Sequence, residues 1–191
     1  MSLREVKQLR TRQALATAAA DLFRSRGFDG TTLADVAAAA EVGTRTLFRY
    51  FAGKEDLLFP DHDDRVAAAV RTIDGSGPPE RPAEVLLRAL AQAESDEDVA
   101  SGLAALRLRL IRENPTVRAR ALQLYSDAQL EIARALTKAF PEQLDTVGAA
   151  ALTGAFAGAV QGALCALIQD PTDFKDPAAY RNLIDTATRT A

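Results

Sequence analysis

Five polar side chains stand close together between residues 44 and 50: Thr44, Arg45, Thr46, Arg49 and Tyr50. An arginine presents parallel N–H donors that match the O6 and N7 acceptors of guanine, and hydroxyl groups suit phosphates or base edges. Leu47 and Phe51, four residues apart, predict the buried side of a short helix and leave the polar side chains facing outward. A solvated face of an ordinary helix would account for the same arginines, and periodicity alone does not decide between the two.

A second helix that could brace the first is predicted just before these residues. Its apolar face recurs at i, i+3, i+4 and i+7, in Leu33, Val36, Ala37 and Ala40. Thr32 and Asp35 predict its N-terminal cap. After a three-residue break over 41–43, the helix beginning near Thr44 follows. Two helices at this spacing are typical of a helix-turn-helix, in which the second helix enters a major groove.

Four sequence motifs follow one another in this part of the chain: AxxLFxxxGFxxTT over 19–32, then LxxVAxxA, TLFRYF and KEDLL. In this order, over residues 14–58, they resemble the DNA-binding domain of the TetR family of transcriptional regulators. The resemblance implies that Thr44 to Phe51 is the recognition helix and that the chain at Lys54 contacts the DNA backbone. Thr32 and its successor, Leu33, are further candidates for the DNA-binding site.

Three residues depart from the family pattern. Glu41 stands at a turn position usually held by Gly, Gly43 replaces the usual capping Ser, and Phe48 replaces the usual phosphate-contacting Tyr. These departures and the acidic pI of about 5.3 keep a second hypothesis open. In it, the chain is a helical small-molecule carrier or partner-binding protein that has lost DNA binding.

Composition predicts an all-α protein. Alanine and leucine dominate the 191 residues, Trp is absent and strand signals are scarce. We predict about nine helices in two domains: a three-helix DNA-binding domain over 1–53 and a helical ligand-binding and dimerisation domain over 54–191. A single Cys excludes an internal disulfide and suits the cytoplasm. The charged N-terminus has no apolar segment typical of a secretory signal.

Charge is unevenly distributed along the chain. Residues 1–59 hold 9 basic and 7 acidic side chains, whereas the remainder holds 14 basic and 19 acidic ones. Within the first twelve residues only Glu5 opposes four basic side chains, Arg4, Lys7, Arg10 and Arg12. A basic arm here would reach phosphates, which supply the salt-sensitive part of DNA affinity, although a solvated helix start has the same composition.

The spacing of apolar residues predicts the remaining helices. The first runs from about Leu3 to Arg26 and ends at Gly27. A fourth, opening at Lys54, is interrupted by Pro60 and continues to Asp74. After the loop 75–79, helices are predicted from Pro82, over 99–112, 115–140, 145–169 and 177–190.

The segment 145–169 is almost entirely apolar, yet alanine and glycine dominate it and acidic residues flank it, so we predict no membrane span. A helix apolar all round is expected to be buried on every side. Gly154, Gly158 and Gly162 form a smooth face for another helix. The resemblance implies that the last two helices pair two subunits, which then read the two halves of a palindromic operator.

The resemblance also implies that a small molecule binds among the C-terminal helices and releases the DNA, as in a repressor. The passage LLFPDHDDR resembles members that sense acyl-CoA thioesters. The helices expected to line the pocket are mainly apolar, which predicts a largely apolar effector. Their candidate polar groups are Arg107, Arg109, Tyr125, Gln161 and Cys165.

A metal centre or an enzyme is not predicted. The only histidine, His62, lies between Asp61 and the pair Asp63 and Asp64, where neighbouring side chains point in different directions on a helix. An acidic helix start explains this cluster better. No nucleophile elbow, phosphate loop or dinucleotide-binding motif is found, and no cofactor is expected.

Overall fold

A computed structural model describes residues 2–92 and 102–167. All its regular elements are helices, in agreement with the predicted all-α class. In chain order they are α1 (Leu3–Arg26), α2 (Leu33–Ala39), α3 (Thr44–Tyr50), a 3-10 helix (Glu55–Leu58), α4 (His62–Asp74), α5 (Pro82–Gln92), α6 (Leu103–Glu113), α7 (Pro115–Ala139) and α8 (Thr146–Leu167). The start of the helix predicted over 99–112 and the helix predicted over 177–190 lie outside the described residues.

The chain divides into two compact units, and the first combines residues 1–60 with 106–120. Helix α1 begins at a reciprocal cap between Ser2 and Glu5 and ends at Gly27, as predicted. It packs against α2 and the 3-10 helix, and α2 packs against α3. The rings of Phe23 and Phe28, 5.0 Å apart, fix the chain as it leaves α1.

Pro60 splits the predicted fourth helix, because a proline within a helix removes a backbone hydrogen bond. The chain forms a 3-10 helix before the proline and resumes as α4 two residues after it. Leu57 and Leu58 in the 3-10 helix are fully buried. They anchor the segment that follows α3.

Asn114 separates α6 from α7, and Pro115 is the first residue of α7. The Asn114 side-chain oxygen accepts hydrogen bonds from the backbone N–H groups of Thr116 and Val117, at 2.9 and 3.2 Å. Pro115 suits the first helical position, where its missing N–H is not needed. Residues 115–120 of α7 belong to the first unit and the rest of the helix to the second.

The second unit comprises residues 61–105 and 121–191. In its described part α4 packs against α5. Its core combines side chains of α4, α5, α7 and α8 with Phe140, which follows α7; the largest fully buried ones are Ile73, Leu86, Leu136 and Phe140. These residues supply the apolar burial that stabilises this unit.

Neighbours in the described ranges cover only part of helix α8, and its burial against a second subunit stays a prediction. Val147 is 76% exposed. Among the described residues, no neighbouring atom lies within 4 Å of a Cβ built on Gly154, Gly158 or Gly162. Alanine and glycine side chains leave little apolar surface to bury, so α8 can be apolar in sequence and still lie open. No helix in the described ranges is long and apolar enough to cross a membrane.

Candidate nucleic-acid interface

Helix α2 is fixed at its N-terminus by the predicted cap. The Thr32 hydroxyl accepts from the Asp35 N–H at 3.1 Å and donates to the Asp35 carboxylate at 2.5 Å. The backbone N–H of Thr32 donates to the same carboxylate at 2.9 Å. These hydrogen bonds from Thr32 hold the pKa of Asp35 below its usual value, with a smaller contribution from the nearby Arg26 guanidinium.

The turn after α2 closes with two backbone hydrogen bonds of a Schellman motif. The Val42 N–H donates to the Ala37 carbonyl at 2.9 Å, and the Glu41 N–H donates to the Ala38 carbonyl at 3.1 Å. This geometry places Glu41 in the left-handed region, at φ +54°. A side chain with a Cβ is strained there, which explains why glycine usually occupies the position.

Helix α3 begins directly after Gly43, which offers the helix N-terminus no side-chain hydrogen bond. The helix is held from within the unit by Leu47, which is fully buried, and by Phe51 directly after it. Of the five predicted outward-facing residues, Thr44, Arg45 and Arg49 are exposed, and Thr46 and Tyr50 are partly exposed. The structure therefore brings the predicted polar side chains together on one short helix.

The two arginines of α3 have different surroundings. Arg49 donates a hydrogen bond to the Tyr50 hydroxyl at 3.0 Å, and its guanidinium lies 4.9 Å from the centre of that ring. No partner is found for the Arg45 side chain among the described residues. Arg45 is thus unengaged, whereas Arg49 and Tyr50 form a paired group whose phenolic proton remains available to an acceptor.

Phe48 lies on the same helix and is 57% exposed. The other phenylalanines of the described ranges are buried: Phe23, Phe28, Phe51, Phe59, Phe140 and Phe156. The sequence indicated that Phe48 lacks the hydroxyl usual at its position, but it gave no sign that the ring would be exposed.

Lys54 is engaged inside the first unit. Its ammonium donates to the carbonyl oxygens of Phe28 and Thr31, at 2.8 and 3.1 Å, and lies 4.4 Å from the centre of the Phe28 ring. The ammonium thereby fixes the connection between α1 and α2. The contact between the chain at Lys54 and the DNA backbone, which the resemblance implies, stays a prediction.

Asp56 holds the turn that follows α3. One carboxylate oxygen accepts from the backbone N–H groups of Ala52 and Gly53, both at 3.1 Å. The other accepts from the Arg120 guanidinium at 2.6 Å. Close by in sequence, the Thr116 hydroxyl donates to the Glu55 carboxylate at 2.9 Å. Sequence reasoning missed the hydrogen bonds from Arg120 and Thr116, because each joins residues more than sixty positions apart.

The two further candidates, Thr32 and Leu33, have their main contacts within the protein. Thr32 is exposed, but its hydroxyl is engaged with Asp35, and Leu33 is a partly buried apolar residue. Both stand at the start of α2. Their place in a DNA interface stays a prediction.

The predicted effector-pocket residues belong to both units, Arg107 and Arg109 to the first and the others to the second. Arg107 donates to the Leu58 carbonyl at 3.0 Å, with its guanidinium 5.7 Å from the Phe59 ring centre, and so stabilises the end of the 3-10 helix. Arg109 pairs with Glu113 one turn later, at 3.9 Å. Tyr125 and Gln161 are exposed, and the Cys165 side chain lies outside the described part.

The acidic cluster around His62 forms a helix start, as predicted. Asp61 precedes α4, His62 is its first residue, and Asp63 and Asp64 lie in its first turn. Carboxylates are favourable there because they face the positive end of the helix dipole. Over the described ranges, no group of three or more metal-ligating side chains is arranged to hold an ion.

The net charges of the two units differ more than those of residues 1–59 and the remainder of the chain. The first unit, which includes residues 106–120, contains 14 basic and 8 acidic side chains, a net charge of +6. The second unit contains 9 basic and 18 acidic side chains, a net charge of −9. Positive charge is thus concentrated in the unit that carries α3.

Comparison with known proteins agrees with this geometry. Residues 15–59 match the family model of bacterial regulatory proteins, tetR family. The chain is 32% identical over 138 residues to the HTH-type transcriptional regulator TcmR of Streptomyces glaucescens, a match covering 69% of this chain. It is 26% identical over 120 residues, 63% of this chain, to MftR of Mycobacterium tuberculosis.

Each match spans 61% of the relative's own length. The solved SmeT–triclosan complex has a similar fold, with a TM-score of 0.53 at 14% identity, covering 92% of this chain and 90% of SmeT. The ordered motifs, the observed helix-turn-helix and these similarities lead to one conclusion. Residues 15–59 are a helix-turn-helix DNA-binding domain of the TetR family of bacterial regulatory proteins.

Proposed function

We propose that this protein regulates transcription by binding a palindromic operator through α3, and that it acts as a repressor released by a small, largely apolar effector. Residues 1–53 serve as the DNA-binding domain and 54–191 as the ligand-binding and dimerisation domain. The observation that carries the proposal is the outward face of α3, where Arg45 is unengaged and Arg49 is paired with Tyr50. Arginine is the side chain best suited to guanine in the major groove.

The charge of the first unit also favours DNA as its partner. The net +6 of the first unit attracts a polyanion, although the whole chain has a net charge of −3. Arg4, Lys7 and Arg10 are exposed on the first turns of α1 and extend the basic surface. Phosphate contacts of this kind give affinity without sequence preference and weaken steeply as salt rises.

A two-fold dimer places two recognition helices about 34–36 Å apart, one turn of DNA, so that each reads half of the operator. We assign the pairing surface to α8. Its glycine face is open within the described chain, and the adjoining Val147 is 76% exposed. Replacing Gly158 with Leu is expected to weaken dimerisation, measured by sedimentation equilibrium, because a side chain would obstruct close helix approach.

An effector changes operator affinity only as far as it prefers the conformation that does not bind DNA. SmeT, which shares this fold, has been solved with triclosan bound, and a small apolar ligand in the C-terminal helices is the corresponding proposal here. Screening apolar compounds for release of bound operator tests this step. We expect the protein to act in the cytoplasm, because the proposed operator lies on the chromosome.

Operator binding is tested by fluorescence anisotropy on the intergenic DNA beside the protein's own gene, at several salt concentrations. Arg45→Ala/Arg49→Ala is expected to reduce specific affinity by about 100-fold or more, because each lost base contact costs about 1–3 kcal/mol. The matched control, Arg71→Ala/Arg81→Ala, removes two exposed arginines from the second unit. It should bind nearly as the wild type does.

Equally weak binding of the wild type and the α3 variant to every duplex would refute the proposal. The carrier hypothesis, in which the protein binds small molecules without DNA, would then take its place.

A further inference from the structure

The exposed ring of Phe48 has no role in the core of the first unit. It is 57% exposed, whereas Leu47 beside it is fully buried and holds α3 in place. Folding would lose little if Phe48 were replaced with a polar residue. An aromatic ring left in solvent on a short basic helix therefore points to a contact made with a partner.

The neighbouring side chains indicate which partner. Phe48 follows Arg45 by three residues and precedes Arg49, so the ring lies within a cationic surface. An apolar protein surface would be a poor match for these guanidinium groups, whereas a nucleic-acid groove supplies both negative charge and apolar contacts. In the major groove, the exposed apolar group is the C5 methyl of thymine.

A phosphate is an unsuitable target for this ring. Phenylalanine has neither a donor nor a charge, so it cannot replace the tyrosine hydroxyl that is usual here. The other polar groups of α3 already supply donors for phosphates, among them the Tyr50 hydroxyl that accepts from Arg49 at 3.0 Å. The distinctive property of Phe48 is its apolar surface, and that surface discriminates among bases.

We propose that Phe48 is a specificity-determining residue that packs against a thymine methyl in each half of the operator. The proposal rests on the proposed function, because it requires α3 to occupy a major groove. It assigns an apolar contact to Phe48 and leaves hydrogen-bonded reading to Arg45. The departure from tyrosine thus changes what the position recognises.

The test replaces each operator thymine in turn with deoxyuridine, which removes only the methyl group, symmetrically in both half-sites. At one position the wild-type protein is expected to lose about 3- to 10-fold in affinity per half-site. With Phe48→Ala, the same replacement should have no effect, because the ring that senses the methyl is gone. Phe48→Tyr retains the ring and should keep the sensitivity to deoxyuridine.

Specific wild-type binding that is unaffected by deoxyuridine at every position would overturn the Phe48 proposal and leave the regulator function intact. The proposal would also be overturned if Phe48→Ala lost the same factor in affinity, relative to the wild type on the same operator, with thymine and with deoxyuridine. The ring would then contact the backbone alone. Failure of the wild-type protein to bind any duplex specifically would overturn both proposals. Circular dichroism melting of Phe48→Ala, expected to match the wild type, confirms that the variant folds.

Discussion

Helices α2 and α3 are both seven residues long, but they are built differently. Helix α2 has a reciprocal cap at Thr32 and Asp35 and buries Val36 and Ala37. Helix α3 has no side-chain cap and places most of its side chains in solvent. The bracing helix, α2, is thus stabilised by its own sequence. Helix α3 depends on its neighbours for stability, and its exposed side chains are accessible to a partner. Local stability and partner contact are divided between the two helices.

The largest effect is expected from truncating Leu47, the side chain that anchors α3. Leu47→Ala should destabilise the first unit by about 2–5 kcal/mol, because a fully buried leucine leaves a cavity when truncated. Urea denaturation measures the loss, and hydrogen exchange should show that the α3 amides open first. The exposed Leu122 offers a matched control: Leu122→Ala should cost about 0.5 kcal/mol or less. A comparable cost for both variants would contradict the anchoring role of Leu47.

The second-largest expected effect comes from destabilising the bracing helix, α2. Thr32→Ala should cost about 1 kcal/mol, because the N–H of Asp35 loses its acceptor and the Asp35 carboxylate loses a donor. Thermal unfolding at pH 7 measures this cost. Amide exchange should increase in α2 more than in α3 if the cap acts locally.

The pH dependence of this variant provides its control. The pKa of Asp35 is lowered in the folded protein, so its charged form stabilises the fold above the unfolded value near 3.8. That contribution disappears as pH falls through the lower folded pKa. The stability difference between wild type and Thr32→Ala should therefore be full at pH 7 and narrow below about pH 3.8. A difference that widened in acid would show that the Asp35 carboxylate is not the partner that matters.

Glu41→Gly should stabilise the turn between the helices by about 0.5–1 kcal/mol. Glycine adopts the observed φ of +54° without the clash that a Cβ causes. For a chain of this size the melting temperature should rise by about 1–4 °C. Glu41→Ala removes the same charge but retains the Cβ, and it should give no comparable gain. Equal stabilisation by both variants would assign the effect to charge.

The smallest expected effect adds a cap to the recognition helix. Gly43→Ser should stabilise α3 by a few tenths of a kcal/mol, because the serine hydroxyl can accept from the free N–H groups of its first turn. A Cβ at Gly43 meets no atom within 4 Å, so space is available. Gly43→Ala, which adds bulk without an acceptor, should be less stable than Gly43→Ser. Hydrogen exchange of the α3 amides should separate the two, and the reverse order would exclude capping.

Features set by near neighbours in sequence could be predicted. The bounds of α1, the Thr32 cap and the interruption at Pro60 follow from interactions within four residues. For the same reason, the motifs placed α2 and α3 correctly. The unusual residue at Glu41 was visible in the sequence, and the structure supplied its physical meaning through the positive φ.

Features set by distant partners could not be predicted. The DNA contact at Lys54 stays a prediction, but the sequence gave no sign that the Lys54 ammonium binds carbonyl oxygens more than twenty residues earlier. The effector contact of Arg107 stays a prediction too, and the sequence did not indicate that its guanidinium donates to the Leu58 carbonyl. A long, charged side chain has many possible partners, and its actual partner depends on how the helices pack. The exposure of Phe48 was unreadable for the same reason, because a hydrophobic residue in a sequence usually indicates burial.

The tie between Asp56 and Arg120 has a consequence for attempts to build hybrid regulators. The unit that carries the recognition helix is discontinuous in sequence, since it needs residues 106–120 as well as 1–60. A graft that transfers only the N-terminal segment to another scaffold would leave the Asp56 carboxylate and the Leu58 carbonyl without their arginine partners. Exchange of operator specificity between proteins is therefore safer by transplanting the exposed residues of α3 alone. What can be transferred is the set of exposed α3 side chains. A segment obtained by one cut in the chain lacks some of the contacts that hold this helix unit together.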